Sequence, residues 1–348
     1  MALSNSIKEK ISIEVIKTLI TRFESFPEDS SSNRNAPFHE AFLNAFSDKL
    51  SDNVTNIPLF ISLASWLQGL NTTLGQSFFE NVSRILCDGE KREYTSKGLG
   101  NLKITQAQRD NISSIVANLS NSSAVPDPNS ENRLIFQNPA AQTIKAMDFS
   151  ADIFIENIDS VIAIELKSVK PNSGEMRGEK QKILEGKAAL YNLFPNKNIK
   201  FYIGFPFDPT VNTAENAVTS HDKQRFFDSI INMEKFFDYC ETLLASELWN
   251  LLSGENNTME EILQIINAIS TPEFQSKFQF LRNSENRTSD TYITRLQEWN
   301  LFSEIELVSN SGSLRQNRNQ ARVYDKLSFK SDGEYNWERY NTLKRILG

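Results

Sequence analysis

The stretch SADIFIENIDSVIAIELKS, residues 150–168, consists of two apolar segments joined by a short polar turn near residues 157–159. Both segments are typical of β-strands, so the stretch predicts a hairpin. Side chains alternate between the two faces of a strand, which places Glu165 and Lys167 on one face and the intervening apolar residues on the other. Asp152 opens the first strand. The hairpin therefore gathers two carboxylates and an ammonium at one of its ends.

The residue types at this hairpin end suit the hydrolysis of a phosphodiester. Mg2+ prefers carboxylate oxygens, and Asp152 and Glu165 could supply two such ligands, with the Leu166 backbone carbonyl as a third. A bound metal ion lowers the pKa of a water and neutralises charge that develops on the phosphoryl oxygens. Lys167 would position the water or the phosphate and stabilise that charge. The competing interpretation is a surface ion pair on an edge strand.

Charge is distributed unevenly along the chain of 348 residues, which carries a formal net charge of −7. Residues 310–348 contain eight Lys and Arg against four Asp and Glu, a local charge of +4, which leaves −11 for the rest. An acidic body with a basic end favours contact with a polyanion through one surface, and a solvated basic tail fits the charge equally well.

Cysteine usage and hydropathy bear on the compartment. The two cysteines, Cys87 and Cys240, form no CxxC pair, and the N-terminus has no basic flank followed by an apolar core. No run of about 18 apolar residues predicts a transmembrane helix. These features favour a cytoplasmic protein without membrane contact.

Apolar periodicity predicts an α/β core between two helical regions. Strands are predicted at about 151–156, 160–168 and 199–205, with a short strand at 134–136 and a loop over 118–132. Helices are predicted over residues 6–26, 38–50, 57–70, 75–86, 105–119, 179–194, 222–252, 258–268, 272–282 and 336–347. Thr105 should cap its helix, with Gln108 completing a capping box. The predicted regions are a helical 1–74, a catalytic core over 75–210, and a mainly helical 211–348 with a basic end.

The hairpin resembles the PD-(D/E)xK motif of the restriction-endonuclease-like nucleases. Asp152 corresponds to the aspartate of that motif, and Glu165 and Lys167 correspond to its (D/E)xK; Ala151 stands where the motif usually has proline. The run from Ala151 to IAIELKSVKPNSGEMRGEKQK, which ends at residue 182, resembles the TdeIII-like type II restriction endonucleases. The segments GEKREYT (89–95) and NLKIT (101–105) are similar to that family too, so the likeness spans most of residues 75–205.

The resemblance implies a fold and an activity. The fold would be a restriction-endonuclease-like core, a mixed central sheet flanked by helices, with large helical N- and C-terminal extensions. The activity would be that of a Mg2+-dependent type II restriction enzyme that cuts double-stranded DNA at a short palindrome, for which a GC-rich site such as GGNCC is the suggested example. A palindrome presents two equivalent half-sites, so a homodimer is expected. Members of this fold often place another metal-binding glutamate on an earlier helix, where Glu80 is the candidate and an exposed helix acid is the alternative.

Basic residues around the motif are candidates for DNA contacts. Lys170 and Arg177 lie between the motif and the following helix. Lys180 and Lys187 are seven residues apart and share a helix face, which could line DNA phosphates or simply be solvated. A cluster of forked side chains after Gly312 could read bases, contact only phosphate, or belong to a flexible linker; its arginines are Arg315, Arg318 and Arg322.

Two other functions compete with restriction. A repair or recombination nuclease of the same fold would be structure-specific, and it would produce smears or junction cleavage where a restriction enzyme produces discrete bands. A non-catalytic DNA-binding module is the third possibility. The presence of all three charged residues of the motif argues against it, because an inactive relative need not keep them.

Overall fold

The computed structural model describes residues 2–27, 43, 57–137, 142–167 and 175–347. The chain forms two compact units. The first contains Phe79–Ile262 together with the N-terminal end, and the second contains the described residues of Ser4–Phe78 and Leu263–Gly348. The helix predicted over 38–50 lies outside the described residues apart from residue 43.

Helices make up most of the described chain, and none of them in these ranges has the length and apolar character needed to cross a membrane. In chain order they are α1 (Asn5–Glu24), α2 (Ile57–Thr73), α3 (Phe79–Cys87), α4 (Gln106–Ser120), α5 (Pro128–Ile135), α6 (Glu175–Leu193), α7 (Lys223–Asp228), α8 (Met233–Phe236), α9 (Ser246–Ser253), α10 (Thr258–Ile269), α11 (Phe274–Arg282), α12 (Asp290–Glu298), α13 (Phe302–Ser309), α14 (Ser311–Leu314), α15 (Arg318–Tyr324) and α16 (Trp337–Leu347). A π-helical segment, Leu74–Phe78, and two 3-10 segments, Tyr239–Glu241 and Ser284–Thr288, complete the helical part.

A mixed five-stranded sheet lies in the first unit, as counted over the described residues. Its strand order is β1-β4-β5-β6-β7, and β2 pairs with β3 in a separate two-stranded sheet. The strands are β1 (Glu90–Tyr94), β2 (Lys103–Thr105), β3 (Thr143–Lys145), β4 (Phe149–Glu156), β5 (Ser160–Leu166), β6 (Asn198–Phe205) and β7 (Thr242–Leu244). The β1–β4 and β4–β5 pairs are antiparallel, and the β5–β6 and β6–β7 pairs are parallel. The predicted α/β class, a mixed sheet flanked by helices, is confirmed.

The pairing of β1 with β4 is irregular. Glu90 stands opposite Phe154 and Arg92 opposite Ala151, so Lys91 alone faces both Asp152 and Ile153. Two residues of β4 thus stand opposite one residue of β1, which defines a β-bulge on β4. A bulge bends its strand and changes the direction of nearby side chains.

Helix α6 packs closely on the sheet through its small and apolar residues. A Cβ added at Gly186 would lie 2.7 Å from the ring of Phe201 on β6 and 3.3 Å from the ring of Phe149 on β4. Any larger residue would have to displace a ring or the helix, because packed interiors leave little free volume. Gly186 therefore fixes how near this helix lies to the strands.

Local capping explains both a success and a failure of the sequence prediction. The Thr105 hydroxyl accepts a hydrogen bond from the Gln108 amide, and the Gln108 side chain accepts one from the Thr105 amide, so the capping box is confirmed. The loop over 118–132 and the strand at 134–136 are wrong in part, because α5 begins at Pro128 and runs to Ile135. Asp127 caps α5, and Pro128 occupies its first position, where a missing N–H costs nothing.

The predicted helix over 222–252 is also wrong in part. It is interrupted by residues in the left-handed region of backbone conformation, Asn232 at φ 66° and Ala245 at φ 51°. Between them the chain adds β7 to the edge of the sheet, next to β6. The short apolar run of β7 has no periodicity of its own, so only its pairing partner reveals it as a strand.

The second unit is organised around a buried carboxylate on α13. Both oxygens of Glu304 accept hydrogen bonds from Arg339, at 2.6 and 3.2 Å, and Tyr335 donates to one of them at 2.9 Å. The Arg287 guanidinium lies 3.2 Å away. Burial would raise the pKa of Glu304, but the two arginines outweigh it and hold that pKa below its usual value. Arg339, one of the basic residues of 310–348, therefore serves to hold the second unit together.

Candidate active site

The two predicted metal-binding carboxylates meet at the end of the β4–β5 hairpin. The last paired residues there are Ile153 and Ile164, and the same register places Asp152 opposite Glu165. Directly opposed residues of antiparallel strands project from the same face. Asp152 is 8% exposed and Glu165 is 7% exposed, and one oxygen of Asp152 accepts the Leu166 amide at 2.8 Å. Because β5 lies between β4 and β6, the alternative of an ion pair on an edge strand is wrong.

Glu165 receives two lysines. Lys167 Nζ lies 3.3 Å from Glu165 Oε1, and Lys182 Nζ, which comes from α6, lies 2.7 Å from the same oxygen. Glu179, also on α6, contacts Lys167 at 2.9 Å. Burial would lower the pKa of Lys167, but Glu165 and Glu179 outweigh burial and raise that pKa above its usual value. Lys167 is therefore fully protonated at neutral pH.

Asp152 receives a lysine from the opposite side. Lys91 Nζ lies 3.6 Å from Asp152 Oδ1 and 3.1 Å from Glu80 Oε2. Glu80 lies in the first turn of α3 and is 9% exposed. The structure thus brings Glu80 next to the motif, and the alternative of an exposed helix acid is wrong.

The carboxyl group of Asp152 has an unusual acidity. Burial is the main cause, followed by the negative charge of Glu165; together with Glu80 they raise the pKa of Asp152 to about 6. The Leu166 amide and Lys91 act in the opposite direction without cancelling this effect. A buried carboxyl surrounded by like charges is the environment that favours replacement of the proton by a cation.

The donor set fits a hard divalent cation. Asp152 and Glu165 offer carboxylate oxygens, and the Leu166 carbonyl faces the same side of β5 as its amide, toward β4. Within the described ranges, no three or more His, Cys, Asp or Glu side chains are gathered closely enough to hold a metal by themselves. Mg2+ does not need such a cage, since it is commonly held by one or two carboxylates, waters and substrate phosphates.

The helix lysines predicted to line DNA are located elsewhere. Lys180 is fully buried, with its Nζ 2.7 Å from both Glu131 and Glu241, and Lys187 contacts Glu241 at 3.2 Å. They do share a helix face, as predicted, but that face points into the protein. The prediction that they contact phosphate is wrong, and so is the alternative of a solvated face.

The other predicted DNA contacts fall in three places. Lys170 lies outside the described residues, and Arg177 is exposed in the first turns of α6. Three exposed arginines lie in the second unit: Arg315 directly after α14, in the turn before α15, and Arg318 and Arg322 on α15, where a loop was predicted. Arg315 is paired with Asp325 at 3.1 Å and stacks on Tyr324.

Two lysines in the site were missed from the sequence. Lys91 belongs to β1, whose sequence EKREY lacks apolar alternation, so no strand was predicted there. Lys182 lies two residues from Lys180, which is about 200° around a helix of 3.6 residues per turn. The apolar neighbours Ile183 and Leu184 mark the inward face, so the outward direction of Lys182 could have been inferred.

The family described as type II restriction endonuclease, HinfI, has a model that matches residues 3–270. The type II restriction enzyme MjaII of Methanocaldococcus jannaschii is 42% identical to this chain over 363 residues. That alignment covers 97% of this chain and 96% of the MjaII protein.

Proposed function

Because this chain belongs to the HinfI family of type II restriction endonucleases and is a site-specific DNA endonuclease, we propose that it cuts DNA at the acid–lysine cluster of the β4–β5 hairpin and requires Mg2+. The observation that carries the proposal is the convergence of Asp152 and Glu165 at a sheet end, with a charged Lys167 beside them. The rest of the cluster is Glu80, Lys91, Glu179 and Lys182.

Asp152, Glu165 and the Leu166 carbonyl are the groups that would hold Mg2+. When bound, a divalent cation activates a water and offsets the charge that develops on the phosphoryl oxygens. The hydrogen bond from the Leu166 amide orients Asp152, so this carboxylate is positioned before any ligand arrives. Such preorganisation reduces the reorganisation needed during the reaction.

Lys167 acts as a cation and not as a base. Its raised pKa keeps the ammonium protonated at neutral pH, so it has no lone pair with which to accept a proton. It lies beside Glu165, where its charge can bind a non-bridging phosphate oxygen and stabilise the transition state. Lys182 shares the same carboxylate and can reach the same phosphate.

The substrate is double-stranded DNA, and we propose that it is cut at a short palindrome, GC-rich and similar to GGNCC, by a homodimer. Two copies related by a twofold axis match the two half-sites of such a sequence. Lys170 and Arg177 adjoin the motif and are proposed to contact phosphates. The exposed arginines of the second unit are proposed to contact DNA as well: Arg315, Arg318 and Arg322. Sedimentation that finds only monomers, with and without DNA, would contradict the dimer.

The proposal is tested by digesting plasmid DNA in Mg2+ with the wild type and with Asp152→Asn. The wild type should give discrete fragments, and the variant should cut about 10³-fold more slowly because a preorganised charge is lost. Binding to DNA in Ca2+ should persist. Glu156→Gln is the matched control, since Glu156 is an exposed acid at the other end of β4, paired with Lys197. Smears or junction cleavage would support a structure-specific nuclease, and equal cutting by Asp152→Asn would refute the site.

The role of the second-unit arginines is tested with Arg318→Ala. If Arg318 reads a base, the variant should relax the choice of site. If Arg318 contacts only phosphate, binding should weaken on all sequences. The slope of log binding constant against log salt concentration should then become shallower by about 0.9. Competition binding at several salt concentrations separates the two roles, and unchanged binding would exclude both.

A further inference from the structure

Lys91 is directed at the acid cluster by the irregular pairing of its strand. It faces two residues of β4, Asp152 and Ile153, because β4 has its bulge opposite Lys91. Bulges recur beside active sites, where they direct one side chain to a new position. The backbone itself therefore places this ammonium over Asp152.

The contacts of Lys91 are all carboxylates. Its Nζ lies 3.1 Å from Glu80, 3.6 Å from Asp152 and 3.7 Å from Glu93. Glu80 comes from α3, and Asp152 comes from β4, so the ammonium joins two separate elements of the fold. The Lys91 side chain is 31% exposed, whereas that of Glu80 is 11% exposed. Removing the ammonium would leave two shielded carboxylates facing each other without a counter-ion.

Asp152 divides the cluster into two halves. Its Oδ1 faces Lys91, and its Oδ2 accepts the Leu166 amide on the side of Glu165. A carboxylate oxygen has two lone pairs, so Oδ2 can accept that amide and still ligate a cation. Two-metal nucleases use carboxylates of this kind to hold ions about 3.5–4 Å apart. Here the Glu80 half already contains a positive charge that belongs to the protein.

We propose that Lys91 is a built-in cation that fills the Glu80–Asp152 half of the cluster and limits the enzyme to one divalent ion per active site, on the Asp152–Glu165 half. This inference rests on the proposed function, because it assumes that Asp152 holds a metal ion. In this proposal Glu80 pairs with Lys91 and does not bind the metal ion. Lys91 is thus a positioning residue that keeps two repelling acids in place.

The experiment counts Mn2+ ions bound to the full-length protein without DNA, from the electron paramagnetic resonance signal of the free ion. Mn2+ prefers the same oxygen ligands as Mg2+. The wild type should bind one ion per chain, and Lys91→Met should bind two, because the vacated carboxylates accept a second ion. Lys91→Arg retains the positive charge and should bind one. Glu80→Gln should also bind one, since Glu80 is not a ligand. Thermal melting confirms that each variant is folded.

Matched variants separate the two proposals. Lys197→Met removes a lysine that pairs with Glu156 at 2.7 Å, outside the cluster, and should leave the count at one. Asp152→Asn should abolish binding; if it does not, the metal site of the proposed function is wrong, and this inference falls with it. If Asp152→Asn abolishes binding but Lys91→Met still binds one ion, only the inference fails. Two ions on the wild type, or none on Glu80→Gln, would also overturn the inference, even if Lys91→Met did not fold.

Discussion

Helix α6 contributes residues to two lysine–glutamate clusters on its opposite sides, and the clusters differ in access to solvent. The open cluster consists of Glu165, Lys167, Glu179 and Lys182, whose side chains retain between 9% and 24% exposure. The sealed cluster consists of Glu131, Lys180, Lys187 and Glu241, whose side chains are at most 6% exposed. The same residue types, a few positions apart on one helix, therefore occupy two different environments.

The difference shows that exposure, and not residue type, decides what such a cluster can do. In the sealed cluster no partner can leave, because a buried charge without a counter-ion is strongly unfavourable. In the open cluster the lysines can change partners, because water or a ligand can replace a lost contact. The open cluster is thus suited to binding and the sealed cluster to holding α6 against α5 and the segment before β7.

The largest expected effect concerns the two central acids. Glu165→Gln should reduce DNA cleavage about 10³-fold, and it should lower the free energy of unfolding less than Glu241→Gln does, because Lys167 and Lys182 can still contact Glu179. Glu241→Gln should do the reverse and lower the stability by about 3–5 kcal/mol, because Lys180 and Lys187 lose a buried counter-charge. Plasmid digestion and denaturant unfolding measure both quantities. Cleavage by Glu165→Gln near the wild-type rate would mean that the open cluster is not needed for DNA cleavage.

The next effect separates two lysines of the same helix. Lys180→Met should destabilise the protein by about 3–5 kcal/mol, since it leaves the buried Glu131 without its lysine and Glu241 with Lys187 alone. Lys182→Met should cost less than about 1 kcal/mol, because its ion pair is partly exposed. Urea unfolding midpoints compare the two variants directly. Equal destabilisation would mean that the open cluster is structural too.

The smallest effect is a difference in pH dependence. Burial and the neighbouring acids raise the pKa of Asp152 to about 6, whereas the unfolded chain releases this proton near 3.8. Between those values the folded, metal-free protein holds an extra proton, so the stability contributed by Asp152 decreases as the pH rises toward 6. A divalent cation must displace that proton, so Mn2+ affinity should be about tenfold weaker at pH 5 than at pH 7. Equal affinity at both values would contradict the assignment of Asp152 as a ligand.

The sealed cluster provides the contrast within the same titration. Burial would raise the pKa of Glu241, but Lys180 and Lys187 outweigh it and hold that pKa below the usual 4.5. A carboxyl whose pKa is lower in the folded protein stabilises the fold at any pH above its pKa in the unfolded chain. That contribution is lost only as the pH falls through the pKa of the folded protein. Far-ultraviolet circular dichroism should therefore show no loss of helix between pH 7 and 5. Unfolding in that interval would indicate that this cluster is not sealed.

Much of the fold could be predicted from local patterns. The strands of the hairpin and β6 were found because apolar residues alternate or run continuously in them, and the membership in type II restriction endonucleases is confirmed by the HinfI family match. The helices α10, α11 and α16 were predicted within two residues of their bounds. These elements carry their own periodicity or caps, so tertiary context was not needed to recognise them.

The remainder depends on contacts between distant segments. Strands β1 and β7 have little pattern of their own and exist because β4 and β6 offer them edges. In the site, the meeting of Asp152 with Glu165 follows from hairpin register, but the arrival of Lys91 and Lys182 follows from a bulge and from helix packing. The burial of Lys180 needed knowledge of its partners Glu131 and Glu241, which lie about 50–60 residues away along the chain.

Gly186 gives the site a dependence on a residue that carries no charge. It lies one turn, about 6 Å along the axis, beyond Lys182, and the absence of its side chain sets the gap between α6 and the strands. A methyl group there would push α6 away from the sheet and move Glu179 and Lys182 away from the hairpin end. The smallest residue thus sets how far these side chains extend into the site. A substitution at Gly186 would lower the activity even though every acid and lysine of the site is still present.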